Sequence, residues 1–270
     1  MSGWSLSGRT ALVTGSVQGI GLAIAKSLAS AGARVALHGL ATAEEAAQAC
    51  GGLCEAGAPE ARFFSGDLRN RAAIPGFMDA VTDWTGGLDI LVNNAGIQKT
   101  SGLAEIDDEL WDDVLTVNLG GAFRTMRHAL PRMATRGFGR VINIASVHGL
   151  VASLDKAPYV ASKHGLIGLS KVAALEYARI GTRDSGGVTV NCICPGWTET
   201  AMIEPQIQLR ALAVGGSRAE GIASLLAEKQ PSQRASLPEE IGALALWLAS
   251  PQAHNVTGAA IPVDGGWTAQ

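Results

Sequence analysis

Seven short, almost continuously apolar runs alternate along this chain with longer segments whose apolar residues recur at helical spacing. Strands buried on both faces read as continuous apolar runs, so the alternation predicts an α/β fold with a parallel sheet covered by helices on both sides. The predicted strands span residues 9–14, 34–38, 62–65, 89–93, 140–144, 189–194 and 259–263. The predicted helices span residues 19–31, 43–56, 71–84, 107–134, 158–180 and 238–249.

Two regions interrupt this alternation. Residues 181–187 form a polar, glycine-rich stretch, which predicts a flexible loop. Residues 199–236 have helical character but contain no predicted strand, so they have no obvious place in the sheet. Because this segment follows a loop at the carboxyl edge of the sheet, we predict that it is a small helical lid over a substrate. No linker-like composition marks a domain boundary, so residues 1–270 are predicted to form a single domain.

The composition excludes several classes of function. The net charge is −3, and basic residues are scattered, which argues against nucleic acid or an anionic membrane as the main partner. Residues 1–9 lack the features of a secretory signal, and no apolar stretch approaches the roughly 18 residues that span a bilayer. We therefore expect a cytoplasmic protein.

The cysteines have no histidine at zinc-site spacing, so we expect reduced thiols and no metal site. They are Cys50, Cys54, Cys192 and Cys194.

The loops that follow the predicted strands contain most of the unusual residues. Ligands of open parallel sheets bind beyond the carboxyl ends of the strands, so we expect one site at this edge. The first such loop, residues 14–21, has the spacing Gly-x-x-x-Gly-x-Gly at a strand-to-helix junction. Glycines there allow a tight turn and let a pyrophosphate approach the helix N-terminus, which predicts dinucleotide binding.

The choice of dinucleotide is predicted from the second strand. That strand normally ends in an acid that holds the adenine ribose, but here it ends with His38, Gly39 and Leu40. No base is present to bind a 2′-phosphate, so NAD is favoured over NADP. Asp67, after the third strand, either accepts a hydrogen bond from the adenine amine or is a turn or N-cap aspartate.

Tyr159 and Lys163 are four residues apart, so on a helix their side chains share one face. An ammonium one turn away would lower the pKa of the phenol and suit it to acid–base work. The alternative is a solvated helix face, since this spacing is common by chance. Ser146, thirteen residues upstream, and the glycine-rich loop favour the catalytic interpretation.

Taken together, these motifs resemble the short-chain dehydrogenase/reductase family over nearly the whole chain. The resemblance implies a Rossmann-type doubly wound sheet, usually a homotetramer, in which Tyr159 is the acid/base and Ser146 binds the substrate oxygen. It also implies that Lys163 holds the nicotinamide ribose and that Asn118 anchors a proton-relaying water. The implied cofactor contacts are Gly15, Ser16, Gln18, Gly19, Ile20, Gly21, Leu40, Asp67, Leu68, Asn94, Ala95, Gly96, Tyr159, Lys163, Pro195, Gly196, Thr198 and Thr200.

Local strings around residues 96–98, 144–153, 194–197, 228–232 and 263–269 further resemble the bacterial D-3-hydroxybutyrate dehydrogenases within that family. This resemblance implies that Gln98, His148, Lys156 and Gln206 bind a small carboxylate, and that Trp197 and Trp267 limit its chain length. Charge-assisted donors in a site otherwise closed by apolar groups suit such a ligand. Each residue also has a structural alternative: a solvated loop cation for Lys156, a satisfied loop histidine for His148, an exposed lid position for Gln206 and interface packing for Trp267.

The expected reaction is NAD-dependent oxidation of (R)-3-hydroxybutyrate to acetoacetate. The alternatives are a dehydrogenase or reductase of another short 3-hydroxy acid, an alcohol or a 3-oxoacyl substrate, and a dinucleotide-sensing scaffold without turnover. Three features depart from the group. Pro205 precedes Gln206, the 181–187 loop is long, and the chain ends in Gln270 where arginine is more typical.

Overall fold

The computed structural model describes residues 4–269, and its centre is a seven-stranded sheet in which every strand pair is parallel. The strand order is β3-β2-β1-β4-β5-β6-β7, so the direction of winding reverses between β1 and β4. All seven predicted strands are confirmed, with ends that shift by no more than two residues. The strands are β1 Thr10–Thr14, β2 Arg34–Gly39, β3 Ala61–Ser65, β4 Ile90–Asn93, β5 Phe138–Ile144, β6 Gly187–Pro195 and β7 Ala260–Val263.

The predicted helices are also confirmed, with one internal difference. The segment 107–134 was predicted as one helix, but a π-helical turn at Thr116–Gly121 divides it into α4 and α5. The apolar spacing over this segment predicts one continuous helix, and a single π-helical turn is too short to be recognised from that spacing. The helices are α1 Gly19–Ser30, α2 Ala43–Ala56, α3 Ile74–Thr85, α4 Asp108–Leu115, α5 Ala122–Arg136, α6 Ala157–Tyr177, α7 Glu204–Val214, α8 Arg218–Lys229 and α9 Pro238–Ala249.

The core consists of apolar layers on the two faces of the sheet. Ile24 and Leu28 of α1 pack with Ile241 of α9 against one face. On the other face, Met78 of α3 and Met133 of α5 belong to the second layer. The near-continuous apolar strands are buried between these layers, as expected for a doubly wound sheet in a single domain.

The two ends of the segment predicted as a lid are held together by backbone hydrogen bonds. Glu199 N–H donates to the Ser236 carbonyl at 2.9 Å, and Ser236 N–H donates to the Trp197 carbonyl at 2.8 Å. Between these bonds the chain forms α7 and α8, which pack on each other. The segment is therefore helical, as predicted, while its closure over a substrate stays a prediction.

Parts of two expectations lie outside the described residues: the start of the 1–9 stretch and the C-terminal Gln270. Within residues 4–269, no helix is both long and apolar enough to cross a membrane. Among the same residues, no three His, Cys, Asp or Glu side chains gather into a set that could hold a metal ion.

Candidate active site

A cavity of about 340 Å³ opens at the carboxyl edge of the sheet, where the sequence predicted a ligand site. The loops after β1, β2, β4, β5 and β6 line it, together with the start of α6 and the chain just before α7. One end is formed by the glycine-rich loop, and the other by Ser146, Tyr159 and Lys163. The topology thus brings the predicted dinucleotide loop and the predicted catalytic residues into one cavity.

The glycine-rich turn is fixed by backbone geometry and by its neighbours. Gly15 has a φ of +61°, and a Cβ there would lie 2.8 Å from the Ala95 Cα. Thr14 Oγ1 accepts from the backbone N–H groups of Asn94 and Ala95, both at 3.1 Å. Gln18 precedes α1 without capping it through its side chain, so the first N–H groups of the helix remain available to an anion.

The structure separates the predicted cofactor contacts into two groups. Most line the cavity, whereas Ser16, Asp67 and Leu68 do not. Ser16 is buried, where its Oγ donates to the Val13 carbonyl at 2.7 Å and accepts from His38 N–H at 3.1 Å. The predicted residues that line the cavity are Gly15, Gln18, Gly19, Ile20, Gly21, Leu40, Asn94, Ala95, Gly96, Tyr159, Lys163, Pro195, Gly196, Thr198 and Thr200.

Asp67 has the geometry of a turn aspartate. Its Oδ1 accepts from Arg69 N–H at 2.9 Å, and its Oδ2 accepts from Arg69 Nε at 2.9 Å. These bonds to Arg69 hold the pKa of the Asp67 carboxyl below its usual range. Leu68 lies in the second core layer. The structure therefore supports the turn alternative for Asp67.

Tyr159 and Lys163 lie on the first two turns of α6, and both are buried. Lys163 Nζ donates to the Ile144 carbonyl at 2.7 Å and lies 5.5 Å from the centroid of the Tyr159 ring. The expectation that the pKa of Tyr159 is lowered by Lys163 is wrong. Burial raises the pKa of the phenol, and a hydrogen bond with Ser146 opposes that rise. Burial also lowers the pKa of Lys163 to about 8.

Asn118 lies outside the cavity lining and hydrogen-bonds two elements that form the site. It sits in the π-helical turn, is buried, and does not line the cavity. Its Oδ1 accepts from Ile97 N–H at 2.8 Å, while its Nδ2 donates to the Ile97 carbonyl at 3.0 Å and to Ser162 Oγ at 3.2 Å. These bonds fix the loop after β4 against α6, one residue from Lys163.

The predicted substrate residues also gather in the cavity, with one exception. Gln98, His148, Lys156, Trp197 and Trp267 line it beside Ser146 and Tyr159, but Gln206 does not. Pro205 sits in the first turn of α7, where no backbone donor is required, and Gln206 follows it on a half-exposed helix face. The prediction that Gln206 binds substrate is therefore not met by this geometry.

Sequence reasoning missed three residues of the predicted lid that line the cavity. Their side chains are small or apolar, so nothing in the sequence marked them as site residues: Ala201, Met202 and Ile203.

Lys156 is a buried cation, and no anionic side chain among residues 4–269 pairs with it. Its side chain lies against Trp197, with Nζ 5.0 Å from the ring centroid. Among residues 4–269, its Nζ forms neither a hydrogen bond nor a salt bridge. The residue is 7% exposed and lines the cavity, whereas the solvated-cation alternative requires an exposed loop position. Burial lowers the pKa of the ammonium to about 8. The Trp197 indole Nε1 nearby is also buried without a hydrogen-bond partner. Because that indole nitrogen has no accessible surface, the donor that this end of the cavity offers to a ligand is the Lys156 ammonium.

His148 is buried, and both of its ring nitrogens already have partners. Nδ1 lies 3.3 Å from Ser146 Oγ, and Nε2 lies 2.9 Å from Ser153 Oγ. Burial and the Lys156 charge lower the pKa of the imidazole to about 3, so the ring is neutral near pH 7. The structure therefore supports the satisfied-histidine alternative rather than a cationic carboxylate ligand.

Comparison with known proteins agrees with this site. The sequence model of the family described as short chain dehydrogenase matches residues 9–210. A D-beta-hydroxybutyrate dehydrogenase of Cupriavidus necator is 45% identical over 269 residues, which cover 98% of this chain and all of that protein. A protein of the same name from Rhizobium meliloti is 42% identical, over 97% of this chain and 99% of that protein.

Among solved structures, a variant of actinorhodin polyketide ketoreductase with NADPH superposes with a TM-score of 0.88 at 38% identity. The match covers 97% of this chain and 98% of that one. The fold, the site and these relatives together show that this Rossmann-type chain belongs to the short-chain dehydrogenase/reductase family, an oxidoreductase family.

Proposed function

We propose that this protein catalyses the reversible, NAD-dependent oxidation of (R)-3-hydroxybutyrate to acetoacetate. The observation that supports this most directly is Lys156, which lines the cavity with Ser146 and Tyr159. Within the part of the chain that the structure describes, this buried ammonium has no anionic partner. An unpaired buried charge is costly, so a site that keeps one is suited to a ligand of opposite charge. The two relatives named as D-beta-hydroxybutyrate dehydrogenases support the same choice.

The lining residues fit a short carboxylate. Its oxygens would pair with Lys156 and accept hydrogen bonds from Gln98. Trp197 and Trp267 pack with ring centroids 5.7 Å apart and close this end of the cavity. A four-carbon acid held there would present its hydroxyl to Ser146 and Tyr159, whereas a long acyl chain would meet the two indoles.

The chemistry follows from the neighbouring groups. A bound nicotinamide supplies the hydride acceptor. Tyr159, as phenolate, takes the proton of the substrate hydroxyl, and Ser146 stabilises the charge that develops on that oxygen. Lys163 contributes positive charge next to the phenolate and holds the ribose, while Asn118 anchors a water behind it. Every one of these groups is buried, which strengthens the electrostatic interactions among them.

We further propose that the cofactor is NAD rather than NADP. Leu40 lines the cavity at the end of β2. The cationic side chains of the lining are Lys156, which lies against Trp197, and Lys163, which donates to the Ile144 carbonyl. Arg69 is tied to Asp67 and Asp113 through salt bridges. A 2′-phosphate would therefore lack a partner. NADP is expected to give a kcat/KM at least tenfold below that of NAD, and equal values would refute this part of the proposal.

A homotetramer is proposed from the outer faces of α4 to α6. These helices expose large apolar side chains that a monomer would leave in water: Trp111, Phe123, Val172 and Leu175. Light scattering during size-exclusion chromatography should give four times the mass of the 27.7 kDa chain. A monomeric mass at micromolar concentration would refute the assignment.

The function is tested by steady-state assays with both enantiomers of 3-hydroxybutyrate, with 3-hydroxyvalerate and with the neutral diol of the same length. We expect the (R)-acid to give the highest kcat/KM. Equal turnover of the acid and the diol would refute the carboxylate pocket. Preferential reduction of 3-oxoacyl thioesters with NADPH would favour the ketoacyl reductase alternative. Two relatives, 40% and 38% identical to this chain, carry names of that kind. No turnover of any carbonyl or alcohol would favour the scaffold.

A further inference from the structure

Asp155 and Lys156 are neighbours of opposite charge, yet their side chains lie on different sides of the loop before α6. Lys156 is buried and lines the main cavity, with Nζ 5.0 Å from the centroid of the Trp197 ring. Asp155 is exposed and lines a separate surface groove. Within residues 4–269, no salt bridge joins the two side chains. The carboxylate next to Lys156 in the chain therefore does not compensate its charge.

The backbone of Asp155 lies in the left-handed region, with a φ of +60°. Among the described residues, Gln233 is the other non-glycine residue with a positive φ. In this region the Cβ of an L-residue crowds the following carbonyl oxygen, and aspartate and asparagine tolerate it better than other side chains. A sparsely populated backbone conformation persists only where the surrounding structure holds it, and such residues cluster at active sites and ligand clamps.

Contacts on both sides of Asp155 hold this conformation. Before it in the chain, Ser153 Oγ lies 2.9 Å from Nε2 of the buried His148. Ser101 N–H donates to the Asp155 carbonyl at 2.9 Å, and α6 begins two residues further on. Because the chain is anchored before and after Asp155, a negative φ at this residue would displace one of the two anchored segments.

The hydrogen bond from Ser101 also joins the two loops that carry the proposed carboxylate ligands. Gln98 lies three residues before Ser101, and Lys156 directly follows Asp155. Gln98 and Lys156 both line the main cavity. The turn at Asp155 therefore lies where the placement of both ligands is set.

We propose that Asp155 is a positioning residue whose left-handed backbone holds the Lys156 ammonium in the cavity, apart from the Asp155 carboxylate. The consequence for substrate binding rests on the carboxylate pocket proposed above, whereas the placement of Lys156 does not. The backbone of Asp155, and not its charge, has this role. Asparagine and glycine should therefore replace it, because both accept a positive φ, whereas a β-branched residue should not.

The first test compares Asp155→Val with Asp155→Asn and Asp155→Gly as matched controls, using the hydroxy acid and the neutral diol. We expect Asp155→Val to lower kcat/KM for the acid roughly tenfold or more, through KM, because the ammonium is no longer held at the carboxylate. The diol should be turned over nearly as by the wild type, and both controls should keep the wild-type preference for the acid. Asp155→Ala, with a smaller effect of the same kind, replaces Asp155→Val if that variant does not fold.

A double variant separates positioning of Lys156 from a general structural effect. Lys156→Met already lacks the group that Asp155 is proposed to position. Adding Asp155→Val to Lys156→Met should therefore leave KM for the acid unchanged. A further rise in KM of the size seen in Asp155→Val alone would show that the turn acts through other residues.

The second test follows the lysine directly and needs no substrate. Each protein is acetylated with an N-hydroxysuccinimide ester, and labelled peptides are quantified by mass spectrometry. Lys156 should react several-fold faster in Asp155→Val than in the wild type or in Asp155→Asn, because it leaves its buried position. Lys163, which donates to the Ile144 carbonyl, is the internal control and should react equally in all of them.

Other results would overturn the proposal. An equal loss in Asp155→Asn would assign the effect to charge rather than to the backbone. An equal loss for the acid and the diol would show that the turn supports the whole site. Unchanged labelling of Lys156 in Asp155→Val, or unchanged selectivity where the wild type prefers the acid, would show that the conformation is not needed. If labelling changes as expected but the wild type does not prefer the acid, the proposed function fails while the placement of Lys156 by Asp155 stands.

Discussion

Replacement of Lys156 by methionine should stabilise the empty enzyme while it weakens binding of the acid. Burial lowers the pKa of Lys156 from 10.5 to about 8. At 1.36 kcal/mol per pKa unit, the folded state is destabilised by about 3 kcal/mol at pH 7, where the ammonium is charged. The contact with the Trp197 ring offsets about 1 kcal/mol of that cost. Methionine keeps the apolar stem and removes the charge, so the net gain is about 2 kcal/mol.

The sign of the pH dependence follows from the lowered pKa. Between pH 8 and 10.5 the unfolded chain binds more protons at this residue than the folded chain, so wild-type stability rises relative to Lys156→Met. The destabilisation should fall to roughly half its neutral value at pH 9.5. The assay is urea unfolding of both proteins at pH 7 and pH 9.5. Lys26→Met, on an exposed face of α1, is the control and should change stability by less than about 0.5 kcal/mol.

Lys156→Met also distinguishes an effect on substrate binding from an effect on catalysis. Loss of a charged hydrogen-bonding partner costs about 1.5–3 kcal/mol, so KM for the hydroxy acid should rise roughly 10- to 150-fold. Turnover of the neutral diol should change little. Two results would refute the reasoning: a Lys156→Met protein that is less stable than the wild type at pH 7, or a stability difference that does not change between pH 7 and pH 9.5.

Three further predictions concern neighbouring parts of the site. Tyr159→Phe should lower kcat by about 10²- to 10⁴-fold while NADH still binds, and substantial residual turnover would remove Tyr159 from proton transfer. Gly21→Ala should weaken NADH binding more than tenfold in a fluorescence titration, because a Cβ would overlap the Gly15 carbonyl oxygen; Gly51→Ala, with open space around it, should bind normally. Gln230→Leu should raise KM for the acid, because buried Gln230 accepts from Trp197 N–H at 3.3 Å and donates to the Arg234 carbonyl. Unfolding curves for Gln230→Leu check that the protein remains folded, and an unchanged KM would show that Trp197 is positioned by other contacts.

The fold was predictable because its signals are local. Buried parallel strands such as β5 and β6 are apolar at almost every position, and the turn at Gly15 requires a residue that tolerates a positive φ. The π-helical turn around Asn118 was not predictable, because its expansion follows from packing rather than from composition. Its consequence is that Asn118 points at Ile97 and Ser162, away from the cavity wall.

The sequence predicted which residues form the site better than it predicted their pKa shifts. Spacing placed Tyr159 next to Lys163, but the sign of the pKa shift of Tyr159 depends on burial, which a four-residue interval cannot show. His148 was assigned to the substrate because the sequence around it resembles the bacterial D-3-hydroxybutyrate dehydrogenases. The partner on its far side, Ser153, is fixed by the conformation of the loop and only becomes visible in three dimensions.

Lys163 of α6 and Lys156 at its N-cap are both buried, but they differ in their hydrogen-bond partners. We infer that this difference decides which lysine binds substrate and which one assists catalysis. Lys156 and Lys163 are buried to a similar degree, and burial lowers the pKa of each to about 8. Lys163 donates to the Ile144 carbonyl, so part of its charge is compensated within the protein and its position is fixed next to Tyr159. Among the described residues Lys156 contacts the face of the Trp197 indole but no anion, so we expect a ligand to compensate its charge. The fixed position of Lys163 suits a residue that assists catalysis in every turnover. The uncompensated charge of Lys156 suits a residue that must distinguish an acid from a neutral alcohol.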